Sequence, residues 1–293
     1  MSGYLVVGAD SLVGGGLVRA LEGRGHATWA SARRNVGGKR IFLDYDVEPV
    51  PPLPPGVDYA FLVAAATNYE RCENDPAAWR TNVESIPRLA ATLLERGVFV
   101  TFISTNSVFG GERPWPNEDD PHAPGIAYAR HKEEGEKAIN AAARRLGAQA
   151  RLNIVRLTKI LGRDTSPLPA WFDAWAKGQA VQPFADLIFA PMSVRFVGES
   201  LATIGEKRIA GNLHLSGADN VSYVDLAREL ARQTGVDSRL IAPTTATEKG
   251  VQILFKPRYS GIGMKRTSAL TGLAPQPLAD TVSDVVLERA RNL

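Results

Sequence analysis

The stretch Tyr4-Leu5-Val6-Val7-Gly8-Ala9-Asp10-Ser11-Leu12-Val13-Gly14 (residues 4–14) decides the fold. An apolar run ends at a glycine and gives way to helix-spaced apolar positions from Leu12 to Leu21. A strand that turns tightly into a helix aims backbone N–H groups and the helix N-terminus at one point, which is how a dinucleotide fold holds a pyrophosphate. Gly8 supplies the turn and Gly14 the close helix–strand packing, with Asp10, Ser11, Leu12 and Val13 facing the phosphates between them. Ser11 stands where a middle glycine would admit a phosphate, and its hydroxyl is expected to donate to a phosphate oxygen. A glycine-rich turn alone is a weak motif; its place between a strand and a helix raises it.

Outward from that turn, apolar runs alternate with helical stretches. His26–Ser31, Arg40–Leu43, Asp58–Ala65, Phe99–Ile103 and Asn153–Leu157 read as further strands, several apolar throughout, as expected of strands covered on both faces. Pro76–Arg96 reads as one helix, with Asp75 as its N-cap and Pro76 at the first helical position. After Gly162 the alternation breaks down, with Trp171 and Trp175 expected to pack one helix face. Asn212–Leu215 reads as a returning strand, and Ser222–Gln233 and Val282–Arg291 as helices. The expectation is an α/β protein: a doubly wound, mostly parallel Rossmann sheet with a smaller interleaved C-terminal substrate lobe. Residues 1–162 form the dinucleotide-binding domain and 163–293 the substrate-binding lobe, with part of 190–216 returning to the first.

Composition narrows the class. A net charge of +3 over 293 residues, with no long basic run, argues against a nucleic-acid partner. One cysteine, Cys72, forbids an intrachain disulfide and fits a reducing compartment. No apolar run is long enough to span a membrane and no positively charged leader precedes the first strand, so a soluble, cytoplasmic protein is expected. No metal site is expected, and a homodimer is compatible with the sequence.

The second strand ends in Ser31-Ala32-Arg33-Arg34, without the acidic residue that would hold the adenosine ribose of NAD. Arg33 and Arg34, with Ser31, suit the 2′-phosphate of NADP, so NADP is the preferred cofactor and NAD the alternative. Asp44 could accept from the adenine amino group or simply cap a turn. Ala64-Ala65-Ala66 would let a cofactor lie against the backbone, and Asn82, a poor helix former, invites a polar role there.

Tyr128 and Lys132 stand four apart and so share a helix face, with His131 between them directed to the surface. A free phenol has a pKa of about 10, and a neighbouring ammonium should draw it down into the working range. Ser104 and Thr105 end a strand where parallel sheets bind ligands, and either hydroxyl could polarise a carbonyl towards Tyr128.

The order GxxxxxG, AAA, TNV, STNSVFG and YxxxK resembles the extended short-chain dehydrogenase/reductase superfamily, and within it the dTDP-4-dehydrorhamnose reductase group. By that resemblance Thr105 takes the catalytic hydroxyl position, Tyr128 is the general acid and Lys132 the ribose-binding base. Ile154–Gly162, Asn212–Gly217 and Lys256–Met264 are similar more loosely. Asn106 and Ser107 replace the group's Asp and Tyr, and the Asp-Glu pair of related dehydratases is missing, so dehydration is not implied.

The resemblance implies NAD(P)-dependent reduction of a carbonyl on a nucleotide-linked sugar, with Arg156, Lys159, Arg195 and Arg258 as candidate phosphate ligands. An epimerase with tightly bound NAD and a non-catalytic NAD(P)-binding regulatory protein are the alternatives.

Overall fold

In the computed structural model, residues 3–32, 40–46 and 50–290 are described. The first strand, β1 (Gly3–Val7), is buried throughout and feeds helix α1 (Leu12–Gly23). It is followed by β2 (Ala27–Ala32), β3 (Arg40–Phe42) and β4 (Val57–Leu62). Helices α2 (Tyr69–Asn74), α3 (Pro76–Trp79) and α4 (Ile86–Glu95) then lead into β5 (Phe99–Thr105). The long helix α5 (Ala127–Arg145) precedes β6 (Leu152–Leu157) and the short β7 (Lys159–Leu161).

The C-terminal part holds α6 (Leu168–Ala176), β8 (Ile188–Phe189), β9 (Pro191–Ser193) and α7 (Val194–Lys207). Then come β10 (Gly211–Leu215), β11 (Val221–Ser222), α8 (Tyr223–Thr234), α9 (Lys265–Thr271) and α10 (Leu278–Ala290). Seven strands form one sheet in the order β10-β6-β5-β4-β1-β2-β3, every neighbour parallel. The chain order turns back between β1 and β4, the kind of switch point at which open parallel sheets bind ligands beyond their strand ends.

Two apolar clusters cover the sheet. One, with Leu17, Leu21, Val197 and Leu201, packs α1 and α7 against Tyr4, Tyr59 and Phe61; the other sets α4 and α5 against Leu5, Leu62 and Phe102. A third core joins Trp171 and Trp175 to Leu226, Leu230 and Val282, so the paired tryptophans are structural side chains of α6 and α8 packing.

The expected single helix over Pro76–Arg96 is instead interrupted. Residues Arg80–Ser85 form a wider π-helical turn between α3 and α4. Such turns recur at functional sites because they redirect a side chain without ending the helix. Here the redirected side chain is Asn82, which is buried and aimed at the end of β4. His131, expected on the surface, is buried with its ring edge-on to Trp79.

Candidate active site

The turn after β1 is locked by its own hydrogen bonds. Gly8 adopts φ +89°, and a Cβ there would come within 2.6 Å of the Ala64 nitrogen. Val63 and Ala64 both donate to the Val7 carbonyl at 2.9 Å, which brings the end of β4 against the turn. Gly14 is equally obliged, since its Cβ would meet the Gly8 carbonyl oxygen at 2.2 Å.

Ser11 caps α1: its hydroxyl accepts from Gly14 N–H at 3.1 Å and donates to the Gly8 carbonyl at 2.8 Å. The hydroxyl proton is therefore spent inside the turn, which corrects the expectation that it serves a phosphate. What remains for an anion is the backbone of Leu12 and Val13, in the first helical turn, where N–H groups have no intrahelical acceptor. Ser11, Leu12 and Val13 all line one cleft of about 740 Å³.

That cleft also takes Ala65, Ser104, Thr105, Tyr128 and Lys132, so the strand-end hydroxyls and the helix pair do converge. Asn82 bonds Ala66 twice at 2.9 Å, from its amide NH2 to the carbonyl and from the Ala66 N–H to its oxygen. Its polar job is to fix the backbone after β4, and it does not face the cleft. Asp10 is paired at 2.8 Å with Arg40, and Asp44 accepts from the Asp46 N–H at 3.0 Å, the turn-capping role. Ser31 is buried and accepts from the Gly8 N–H. Arg33 and Arg34 lie outside the described residues.

Ser104 and Thr105 divide sharply. Ser104 donates to Glu136 at 2.5 Å, and Glu136 is gripped by Arg156 through two bonds, at 3.1 and 2.7 Å. This serine's proton is committed below the cleft, so it is not the group that polarises a substrate. Thr105 lies beside Ser107, 3.0 Å between hydroxyl oxygens, and next to the Tyr128 phenol. Asn106 donates to the Ser260 carbonyl at 2.7 Å, pinning the strand end to the loop before α9.

Tyr128 does not behave as the spacing suggested. Burial pushes its phenol above its usual pKa, with Tyr69 and Cys72 adding to the effect and Thr105 opposing it. Lys132 is itself buried, its ammonium 3.9 Å from the Phe102 ring centre. Desolvation lowers its pKa to about 7, against the pull of Glu136 and Cys72. An ammonium so weakened by its apolar walls does not draw the phenol down, and Tyr128 keeps its proton at neutral pH.

The aromatic walls were missed by sequence reasoning. Tyr69 lies tilted against Tyr128 with ring centres 5.4 Å apart, Phe255 stands edge-on to Tyr69, and Phe189 packs at 4.5 Å on Tyr223. They come from α2, β8, α8 and an irregular loop, four segments far apart in the chain, so no local pattern joins them.

Beneath the cleft, His214 donates from Nδ1 to the Gly263 carbonyl at 2.7 Å, while Nε2 lies 3.2 Å from the Arg156 guanidinium. Arginine can only donate, so Nε2 must accept and the ring is neutral. Burial and the arginine charge lower its pKa to about 3. A depressed histidine contributes stability that is whole above the unfolded pKa near 6.5 and is lost as pH falls towards 3. Denaturant unfolding at pH 7 and pH 4 should therefore show a loss that is about 3 kcal/mol smaller in His214→Gln than in the wild type. Equal losses in the two proteins would refute the neutral, buried imidazole.

Fold and cleft together define an oxidoreductase of the extended short-chain dehydrogenase/reductase type. The family model described as "RmlD substrate binding domain" matches residues 2–291, and the chain belongs to that family. It is 31% identical over 217 residues to "Probable dTDP-4,6-dihydroxy-2-methyloxan-3-one 4-ketoreductase" of Streptomyces antibioticus, covering 72% of this chain and 71% of that protein. It is 27% identical to "Probable low-salt glycan biosynthesis reductase Agl14" of Haloferax volcanii, over 95% of both chains. Among solved structures it resembles dTDP-4-dehydrorhamnose reductase of Bacillus anthracis in complex with NADP, with a TM-score of 0.81, 19% identity, and 98% and 100% of the two chains covered. No helix among the described residues is long and apolar enough to cross a membrane.

Proposed function

We propose that the protein reduces a carbonyl on a nucleotide-linked sugar, of the 4-keto type, with Tyr128 as proton donor. The observation that carries this reading is the Tyr128 phenol beside the Thr105 hydroxyl, in one cleft with the N-terminus of α1 and Lys132. A reductase needs an acid that still holds its proton when substrate arrives, and burial keeps Tyr128 in that form. The dTDP-linked ketoreductase activity in the name of the Streptomyces antibioticus relative supports the substrate class.

The cleft fits a nicotinamide dinucleotide. The Gly8 turn and the backbone N–H groups of Leu12 and Val13 would hold the pyrophosphate, Ala64–Ala66 would accept the cofactor against the backbone, and Lys132 would bind the ribose hydroxyls. When bound, the nicotinamide supplies a hydride. NADPH is the expected donor, with NADH the alternative, because the sequence that follows β2 reads Arg33-Arg34 and offers no carboxylate there.

Thr105 orients and polarises the carbonyl by donating from its hydroxyl. Tyr128 gives its phenolic proton to the oxygen on which negative charge develops, and the Thr105 hydroxyl beside it is the group that favours the phenolate left behind. The apolar walls around Tyr69 and Phe255 exclude water while this happens. Asn82 acts indirectly, by holding Ala66.

A panel of nucleotide-linked 4-keto sugars with NADPH, read as loss of reduced-cofactor absorbance, tests the reading. Consumption with at least one member is expected. No consumption by any, together with tightly held NAD and redox-neutral interconversion of sugars, would replace reduction by epimerisation.

A further inference from the structure

Among the described residues, the basic side chains near the cleft are nearly all committed. Arg156 is buried in its bonds to Glu136, Arg195 reaches Asp284 on the surface, and Lys256 is paired at 2.7 Å with Asp186. Arg258 lies over the Tyr259 ring and is not part of the cleft wall. Among the described residues three charged side chains line the cleft: Glu70, Lys132 and Lys159. Lys132 sits 3.9 Å from the Phe102 ring centre and is taken by the cofactor ribose in the reading above.

Lys159 is different. It is the first residue of β7, is accessible from the cleft, and has no carboxylate within ion-pair distance among the described residues. The surrounding walls nonetheless desolvate its amine and push its pKa down, with no charged neighbour to compensate. A partly desolvated ammonium without a counter-ion gains free energy when an anion arrives. The cleft's other anion-binding element, the N-terminus of α1, is already matched to the cofactor's pyrophosphate. Lys159 shares its wall with Phe189, Tyr223 and Phe255, whose flat faces suit a base or sugar ring.

We propose that Lys159 is a specificity-determining residue that anchors a phosphate of the substrate, so that the cleft selects sugars carrying a diphosphate over neutral ketones. The inference rests on the nucleotide-sugar reading above and sharpens it: one lysine, and no arginine fork, takes the anionic part. A point-charge contact of this kind tolerates exchange for arginine better than loss of the charge.

Calorimetric titration of thymidine diphosphate and uridine diphosphate into the NADPH-loaded protein tests this, using wild type, Lys159→Met and Lys159→Arg. The wild type should bind at least one diphosphate, the Met variant about tenfold or more weakly, and the Arg variant nearly as well as wild type. Affinity for NADPH, titrated separately, should stay within about twofold in both variants, which also shows that they fold. Unchanged diphosphate binding by Lys159→Met would overturn the assignment, as would a loss of NADPH affinity, which would move Lys159 to the cofactor. Failure of the wild type to bind either diphosphate would instead strike the nucleotide-sugar reading, and this inference with it.

Discussion

Tyr128→Phe is expected to lose about three orders of magnitude in turnover while binding NADPH as the wild type does. The phenol lines the cleft beside Thr105, and a phenyl ring has no proton to give. The substitution should leave the fold intact, because the ring sits among Ala66, Cys72, Ala78 and Ala127, an apolar setting that accepts phenylalanine at no cost in volume. Loss confined to kcat, with cofactor affinity unchanged by fluorescence titration, marks a group that works in the transition state. Turnover near the wild-type rate would remove Tyr128 from the chemistry and leave water or Lys132 to supply the proton.

The second large effect is on stability. Glu136→Ala should destabilise the protein by about 3–5 kcal/mol, since Arg156 would be left charged, buried and without its carboxylate. Arg156 would keep the Glu118 carbonyl at 2.9 Å and the His214 ring, neither of which carries a negative charge. The damage should also spread. Glu118 itself accepts from the backbone of Arg266 and Thr267 at the start of α9, so the loop ahead of α5 and the C-terminal helices hang from the same cluster. Equilibrium unfolding in urea reads the loss as a lower midpoint, and Glu136→Gln, which keeps an acceptor for Ser104, should lose less. A midpoint for Glu136→Ala within experimental error of wild type would show that the buried pair contributes nothing.

The parts of this molecule that were legible in the sequence are those set by local pattern. β1, its glycine turn and α1 announce themselves because a buried strand, a positive-φ residue and a helical period have to follow one another there. The Tyr128–Lys132 pair was readable for the same reason, as a fixed distance along one helix. Even α7 carries a plain signal in Val194, Val197, Leu201 and Ile204, overlooked because the stretch before it is irregular.

What was not legible is which partner each polar group chooses. Ser104 and Thr105 are chemically alike and adjacent, yet alternation along β5 points one at Glu136, 32 residues away, and the other at Tyr128. Ser11, Asn82 and Asp10 looked like ligands for a cofactor, and each spends its side chain holding the protein's own backbone or a neighbouring arginine. The charge balance around Tyr128 failed for a related reason. Spacing gives the separation of two groups, but burial, which only the assembled walls of the cleft provide, reverses the direction of the shift.

The most direct test of the central proposal follows the hydride itself. NADPH carrying deuterium at the transferred position of C4 is incubated with a nucleotide-linked 4-keto sugar that the protein consumes, and the product is analysed by mass spectrometry and NMR. The proposal predicts one deuterium on the new carbinol carbon and none elsewhere, with the hydroxyl proton exchanging with solvent. A product without deuterium, or interconversion of sugars with no net oxidation of NADPH, would contradict it.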